Sequence, residues 1–170
     1  MNLLEEIGTR LKLDIEEVEK IELEIGPVAS TAAAIREPKI GVEGKFSVWF
    51  LAALALAEGG VTLEKFTDEK VNDPRLVRLR KKIETRLDPR IGFGARLRIL
   101  MKDGSEHKAF LSKPKGDPEN QLTFNELAAK YRNAAKLAIS KEAVESLVKE
   151  VEQLETVRDM RDIVKWAMKD

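Results

Sequence analysis

The chain has 170 residues, with 30 Lys+Arg against 30 Asp+Glu, one His and no Cys. That is long enough for one well-buried core, and too evenly charged for a nucleic-acid footprint. The absence of Cys excludes disulfides, a thiol nucleophile and a Cys-ligated metal. Residues 1–12 read as a helix, with Leu3, Leu4, Ile7 and Leu11 on one face. The opening Met-Asn-Leu-Leu-Glu-Glu has neither a cationic nor an apolar signal region, so the expected compartment is the cytoplasm. Residues 14–18 read as one capped turn. Residues 19–25 then alternate charged and apolar side chains, which predicts a half-buried strand with Ile21, Leu23 and Ile25 facing inward. Residues 26–44 carry Pro27, Pro38, Gly41 and Gly44, and read as a long loop with room for one helical turn.

The next stretch is the most informative. Gly44-Lys45-Phe46-Ser47 leads into a segment, Phe46–Ala57, that is apolar almost all round. Such a helix must be buried on nearly every side. It falls short of the roughly 20 residues needed to cross a bilayer, so no membrane role is expected. A helix N-terminus attracts carboxylates and phosphates, which makes Lys45 and Ser47 candidate substrate-binding residues. The plainer alternative is that Ser47 caps the helix and Lys45 is solvated. Both readings stay open.

Gly59-Gly60 ends that helix, and residues 62–66 read as another short turn. Asp73-Pro74 starts a helix to about Lys82, Asp as the cap and Pro in the first turn. The basic run from Arg75 to Arg86 is interleaved with Leu76, Val77, Leu79 and Ile83 and lacks aromatic residues, so it reads as a solvated face. Residues 83–87 predict a strand. Residues 95–101 and 106–111 flank Lys102-Asp103-Gly104-Ser105, a strong hairpin signal. Together these predict an α+β fold with an antiparallel sheet of about four strands, helices on one face and further helices at the C-terminus. His107, between Glu106 and Lys108, is expected at the surface. A single His supplies neither a His-rich metal site nor a redundant triad, so no metal, no cofactor and no catalytic residue are assigned.

Residues 113–120 form a second loop dense in turn formers, whose single Gly cannot build a phosphate cradle. Thr123-Phe124-Asn125-Glu126 fits a capping box opening a helix to about Leu137. Ser140 caps another, and Asp159 starts a last one through Trp166. No repeat or linker is visible, so residues 1–170 read as a single domain with helices 123–168 as a closing segment.

This order of elements resembles the C-terminal domain of the MmgE/PrpD family, which includes 2-methylcitrate dehydratase, iminodisuccinate epimerase and cis-aconitate decarboxylase. Three matches carry the resemblance: Glu43-Gly44-Lys45-Phe46-Ser47, Lys102-Asp103-Gly104, and Pro114-Lys115-Gly116-Asp117-Pro118-Glu119-Asn120. Leu122–Leu127 and Lys130-Tyr131-Arg132 follow in order. The resemblance implies lyase or isomerase chemistry on small polycarboxylates, in which a proton is removed beside a carboxylate. It also implies that most catalytic His, Asp and Lys residues belong to a large helical domain, none of whose catalytic positions falls within these 170 residues. The loop ending at Lys45, Phe46 and Ser47 would close the active-site cleft.

Two functions remain open. The chain completes the active site of a lyase or isomerase whose catalytic residues come from a missing or separately encoded helical domain. Alternatively, it is a non-catalytic, stand-alone remnant serving oligomerisation or interaction. Val144, Leu147, Val151, Leu154, Ile163, Val164 and Trp166 exceed what a small sheet domain covers alone, so self-association or a helical-domain partner is expected.

Overall fold

The computed structural model describes residues 13–168, so the helix expected over residues 1–12 lies outside the described residues. The described residues belong to two compact units, one ending at Asn120 and the other beginning at Gln121.

The first unit is built on a four-stranded sheet. Its strands are β1 (Val18–Ile25), β2 (Ile83–Leu87), β3 (Ala95–Met101) and β4 (Glu106–Leu111), in spatial order β2-β1-β3-β4. Before β1, the Asp14 side chain caps a short 3-10 turn, as its sequence suggests. Ile21, Leu23 and Ile25 are buried along β1, and Leu97, Ile99 and Met101 along β3, so the alternation reports the inward face correctly. The Asp-Gly hairpin joins β3 to β4, with Gly104 at φ 83° and Ser105 N–H donating to the Asp103 carboxylate at 2.8 Å.

One expectation needs correction. The sheet is mostly antiparallel, but β1 and β2 run parallel, with Ile21 opposite Ile83 and Ile25 opposite Leu87. The reason is the connection. Parallel neighbours need a long crossover, and the chain between β1 and β2 supplies one that carries helices.

Within that crossover lie α1 (Pro27–Ala32), α2 (Gly41–Gly44), α3 (Val48–Glu58), α4 (Asp68–Val71) and α5 (Pro74–Lys81). The loop expected over residues 26–44 therefore holds two short helices. Helix α3 is the predicted central one: Phe50, Ala52, Ala53, Leu54 and Ala55 are fully buried. Gly59 ends it in the left-handed region at φ 66°, its N–H donating to Ala55 O. Asp73 caps α5 with Pro74 in the first turn, and Leu76, Leu79 and Arg80 are buried on that helix. These helices and the inward sheet face share one apolar cluster.

The second unit is helical. Helix α6 (Phe124–Ala135) opens with the complete capping box: the Thr123 hydroxyl oxygen accepts from Glu126 N–H, and Glu126 accepts from Thr123 N–H. Ser140 caps α7 (Lys141–Glu152), which buries Ala143, Val144, Leu147 and Val148. Helix α8 (Arg161–Ala167) follows a turn in which Asp159 accepts from Arg161 N–H, two residues beyond the expected start.

Candidate functional site

The approach to α3 is held from both sides. Phe46 O accepts from Ile35 N–H at 3.0 Å, and Val48 N–H donates to Ala33 O at 3.0 Å. Ser47 is fully buried, and its hydroxyl oxygen accepts from Phe50 N–H at 3.1 Å. Ser47 thus caps the helix, and its buried oxygen is already committed. Lys45 is exposed, with Nζ 5.7 Å from the Phe66 ring centroid and no ion pair among the described residues. Phe66 itself rests against buried Phe50, ring centroids 6.2 Å apart. The two sequence candidates therefore part company: one anchors the segment and the other presents a free cation.

A second basic feature was not foreseen. A cavity of about 260 Å3 is lined by Arg36, Glu37, Lys39, Trp49, Arg80 and Lys81. The Arg36 guanidinium lies 5.7 Å from the Trp49 ring centroid. Arg80 is only 8% exposed, and its Nη1 donates to Val71 O at 3.1 Å. Burial pushes the Arg80 pKa down from its ordinary value, against a weaker opposing pull from Glu37. The signal was present in part, because Arg80 stands four residues after buried Leu76 and so shares its helix face.

Elsewhere in the first unit, many ionisable groups are tied into ion pairs, several of them on the sheet's solvent face. The Glu106 carboxyl is held down at about 2 by hydrogen bonds from Arg98 and Lys108. Arg90 likewise holds Asp88 at about 2 through its guanidinium and backbone N–H. His107 lies opposite Ile99 and is half-buried, so it shares the inward register rather than lying out at the surface as expected. No group of three or more His, Cys, Asp or Glu side chains among the described residues is placed to hold a metal ion. Nor is any described helix long and apolar enough to cross a membrane.

The second unit carries an apolar groove of about 320 Å3, walled by Phe124, Leu127, Ala128, Tyr131, Leu147 and Val151. Leu127 and Val151 are about half exposed, at 52% and 50%.

Residues 1–156 match the family model of the MmgE/PrpD C-terminal domain. The chain belongs to the MmgE/PrpD family. Among curated relatives, cis-aconitate decarboxylase of Mus musculus is 27% identical over 122 residues, covering 69% of this chain and 25% of that protein. The cis-aconitate decarboxylase of Homo sapiens is 28% identical over 123 residues, again covering 69% and 25%. The chain thus spans about a quarter of the length of the MmgE/PrpD relatives it matches. Within the family match lie both the Lys45–Ser47 approach and the cavity beside Trp49.

Proposed function

We propose that this chain is the C-terminal part of an MmgE/PrpD lyase or isomerase acting on small polycarboxylates. A helical domain, in a longer or separate chain, supplies most of its catalytic residues. The family match over residues 1–156 carries this reading. It is supported by the similarity to cis-aconitate decarboxylases, of which this chain corresponds to about a quarter. Removing a proton beside a carboxylate requires a tuned base and acid facing each other, plus cations for the substrate. The most strongly shifted carboxyls here, Glu106 and Asp88, are locked in ion pairs and held down, the wrong direction for a base working near neutrality.

Lys45 is the substrate-carboxylate ligand in this proposal, and Ser47 is a positioning residue that fixes the start of α3 beneath it. The deciding experiment assays the purified chain with cis-aconitate and 2-methylcitrate, alone and mixed with a family helical domain. The chain alone should show no turnover, and the mixture should. Lys45→Met should lower kcat/KM of the mixture by about tenfold, the value of one charge-assisted contact. Turnover by the chain alone would overturn the division of labour. An unchanged kcat/KM would remove Lys45 from the site.

A second reading is favoured by the apolar groove of the second unit: a non-catalytic interaction or oligomerisation domain. Exposed Leu127 and Val151 beside buried Leu147 make a surface that suits self-association.

A further inference from the structure

The cavity beside Trp49 has three properties that separate it from an ordinary basic surface. Four cations, Arg36, Lys39, Arg80 and Lys81, face one carboxylate, Glu37, which is itself 3.6 Å from Lys39 Nζ. Arg36, Arg80 and Lys81 form no ion pair among the described residues. Arg80 is a nine-tenths buried residue, and its guanidinium hydrogen bond goes to a neutral carbonyl, Val71 O. A buried charge is costly unless an opposite charge compensates it. The third property is independent of charge. The Trp49 indole Nε1–H is buried and has no hydrogen-bond acceptor. Buried polar groups are nearly always paired, so an orphan on a residue that lines this cavity marks the indole as a sensitive reporter of what enters beside it.

We propose that this cavity is a binding site for a small multivalent oxyanion, held by Arg36, Arg80 and Lys81 against the Trp49 ring. An oxyanion supplies what the wall lacks: negative charge beside the unpaired cations Arg36, Arg80 and Lys81. Guanidinium groups suit such ligands because their forked donors match the oxygens of carboxylate and phosphate. At about 260 Å3 the space is smaller than typical drug-sized pockets of roughly 300–1,000 Å3, which limits the ligand to a compact di- or trianion. Polycarboxylates and phosphates share this chemistry. The site does not include Lys45 and lies wholly within the first unit, so it stands whether or not the proposed enzymatic role is correct.

The test uses proton–nitrogen correlation spectra of the full chain, titrated at constant ionic strength with citrate, inorganic phosphate or acetate. The chain contains two Trp residues, and Trp166, in the second unit, serves as the internal reference. Citrate or phosphate should move the Trp49 indole signal along a saturable curve, leaving Trp166 in place. Acetate should not. Tighter binding of citrate would assign the site to polycarboxylates, and tighter binding of phosphate to phosphate groups. The Arg36→Gln/Lys81→Gln double variant alters two exposed side chains and so should remain folded. It should bind at least about tenfold more weakly. Arg86→Gln, on a side chain 81% exposed and outside the cavity, should bind as the parent does. The proposal is overturned if neither multivalent anion moves Trp49 more than acetate does. It is equally overturned if the double variant binds with unchanged affinity, or if Trp166 moves in parallel with Trp49.

Discussion

Arg98 on β3 stands directly opposite Glu22 on β1, and its Nη1 reaches the Glu22 carboxylate at 2.8 Å. The same guanidinium donates through Nη2 to Glu106 on β4. Lys20 extends the line, pairing with Glu22 at 3.2 Å and with Glu84 on β2 at 2.8 Å. The solvent face of the sheet is therefore a connected row of charges across all four strands, while the other face carries the apolar core. This division lets an open sheet keep one side in water.

Acid should unpick that row. Arg98 and Lys108 hold Glu106 at about 2, below its ordinary 4.5. A depressed carboxyl contributes stability that is present above its unfolded value and lost as pH falls through its folded value. Urea midpoints of the parent should therefore fall relative to Glu106→Gln between about pH 4.5 and 2. The difference at neutral pH should be small, because exposed pairs are screened by water. Parallel pH curves for the two proteins would show that the pair adds nothing to folding.

Gly26 and Gly92 make a sharper, local prediction. A Cβ at Gly26 would lie 1.6 Å from Gly92 O, a backbone atom that cannot step aside. Gly26→Ala should unfold the protein or cost several kcal/mol. Gly92 has open space around it, but φ 62° with ψ −117° is strained for any L residue, so Gly92→Ala should cost about 1–3 kcal/mol without a clash. Thermal melts should place Gly26→Ala below Gly92→Ala. Similar melting temperatures would contradict the close approach.

Ser47→Ala should cost about 1–2 kcal/mol, because it removes a cap that also satisfies a buried backbone N–H. Its denaturant midpoint should drop with an unchanged slope. Leu54 is fully buried, so Leu54→Asp should abolish cooperative folding by placing an unpaired charge in the core. A cooperative melt from Leu54→Asp would displace α3 from the centre of the fold.

The groove of the second unit gives a fourth expectation. Sedimentation velocity of the chain alone should show concentration-dependent association, and Leu127→Glu with Val151→Glu should suppress it. A strict monomer at high concentration would argue that these helices need no cover.

Much of this was legible because it is written locally. The alternation from Glu19 to Ile25, the Asp103-Gly104 turn and the Thr123–Glu126 box each depend on residues a few positions apart. What could not be read depends on distance. The parallel sense of β1 and β2 follows from a crossover, not from either strand's pattern. The helical turn over Asp68–Val71 is too short to show a period. The cavity draws Arg36, Trp49 and Arg80 from separate segments, and only the folded chain reveals that Arg80 is buried. For Ser47 the local pattern is compatible with cap and ligand alike, and only the folded chain shows that its side chain is buried and caps α3.

The sheet order also bears on how the chain reaches its native state. Strand β1 is made before β2, β3 and β4, yet each of its neighbours lies far along the chain: Ile21 pairs with Ile83 on one side and Ile99 on the other. Closing such long loops costs entropy before any ladder bond repays it, so assembly of the sheet should be slow relative to a bundle of similar size. During synthesis, β1 and the greasy α3 emerge before either pairing strand exists. In that interval β1 and α3 lack the strands that pair with them in the folded sheet, and apolar surface left uncovered in this way is the circumstance that invites a chaperone.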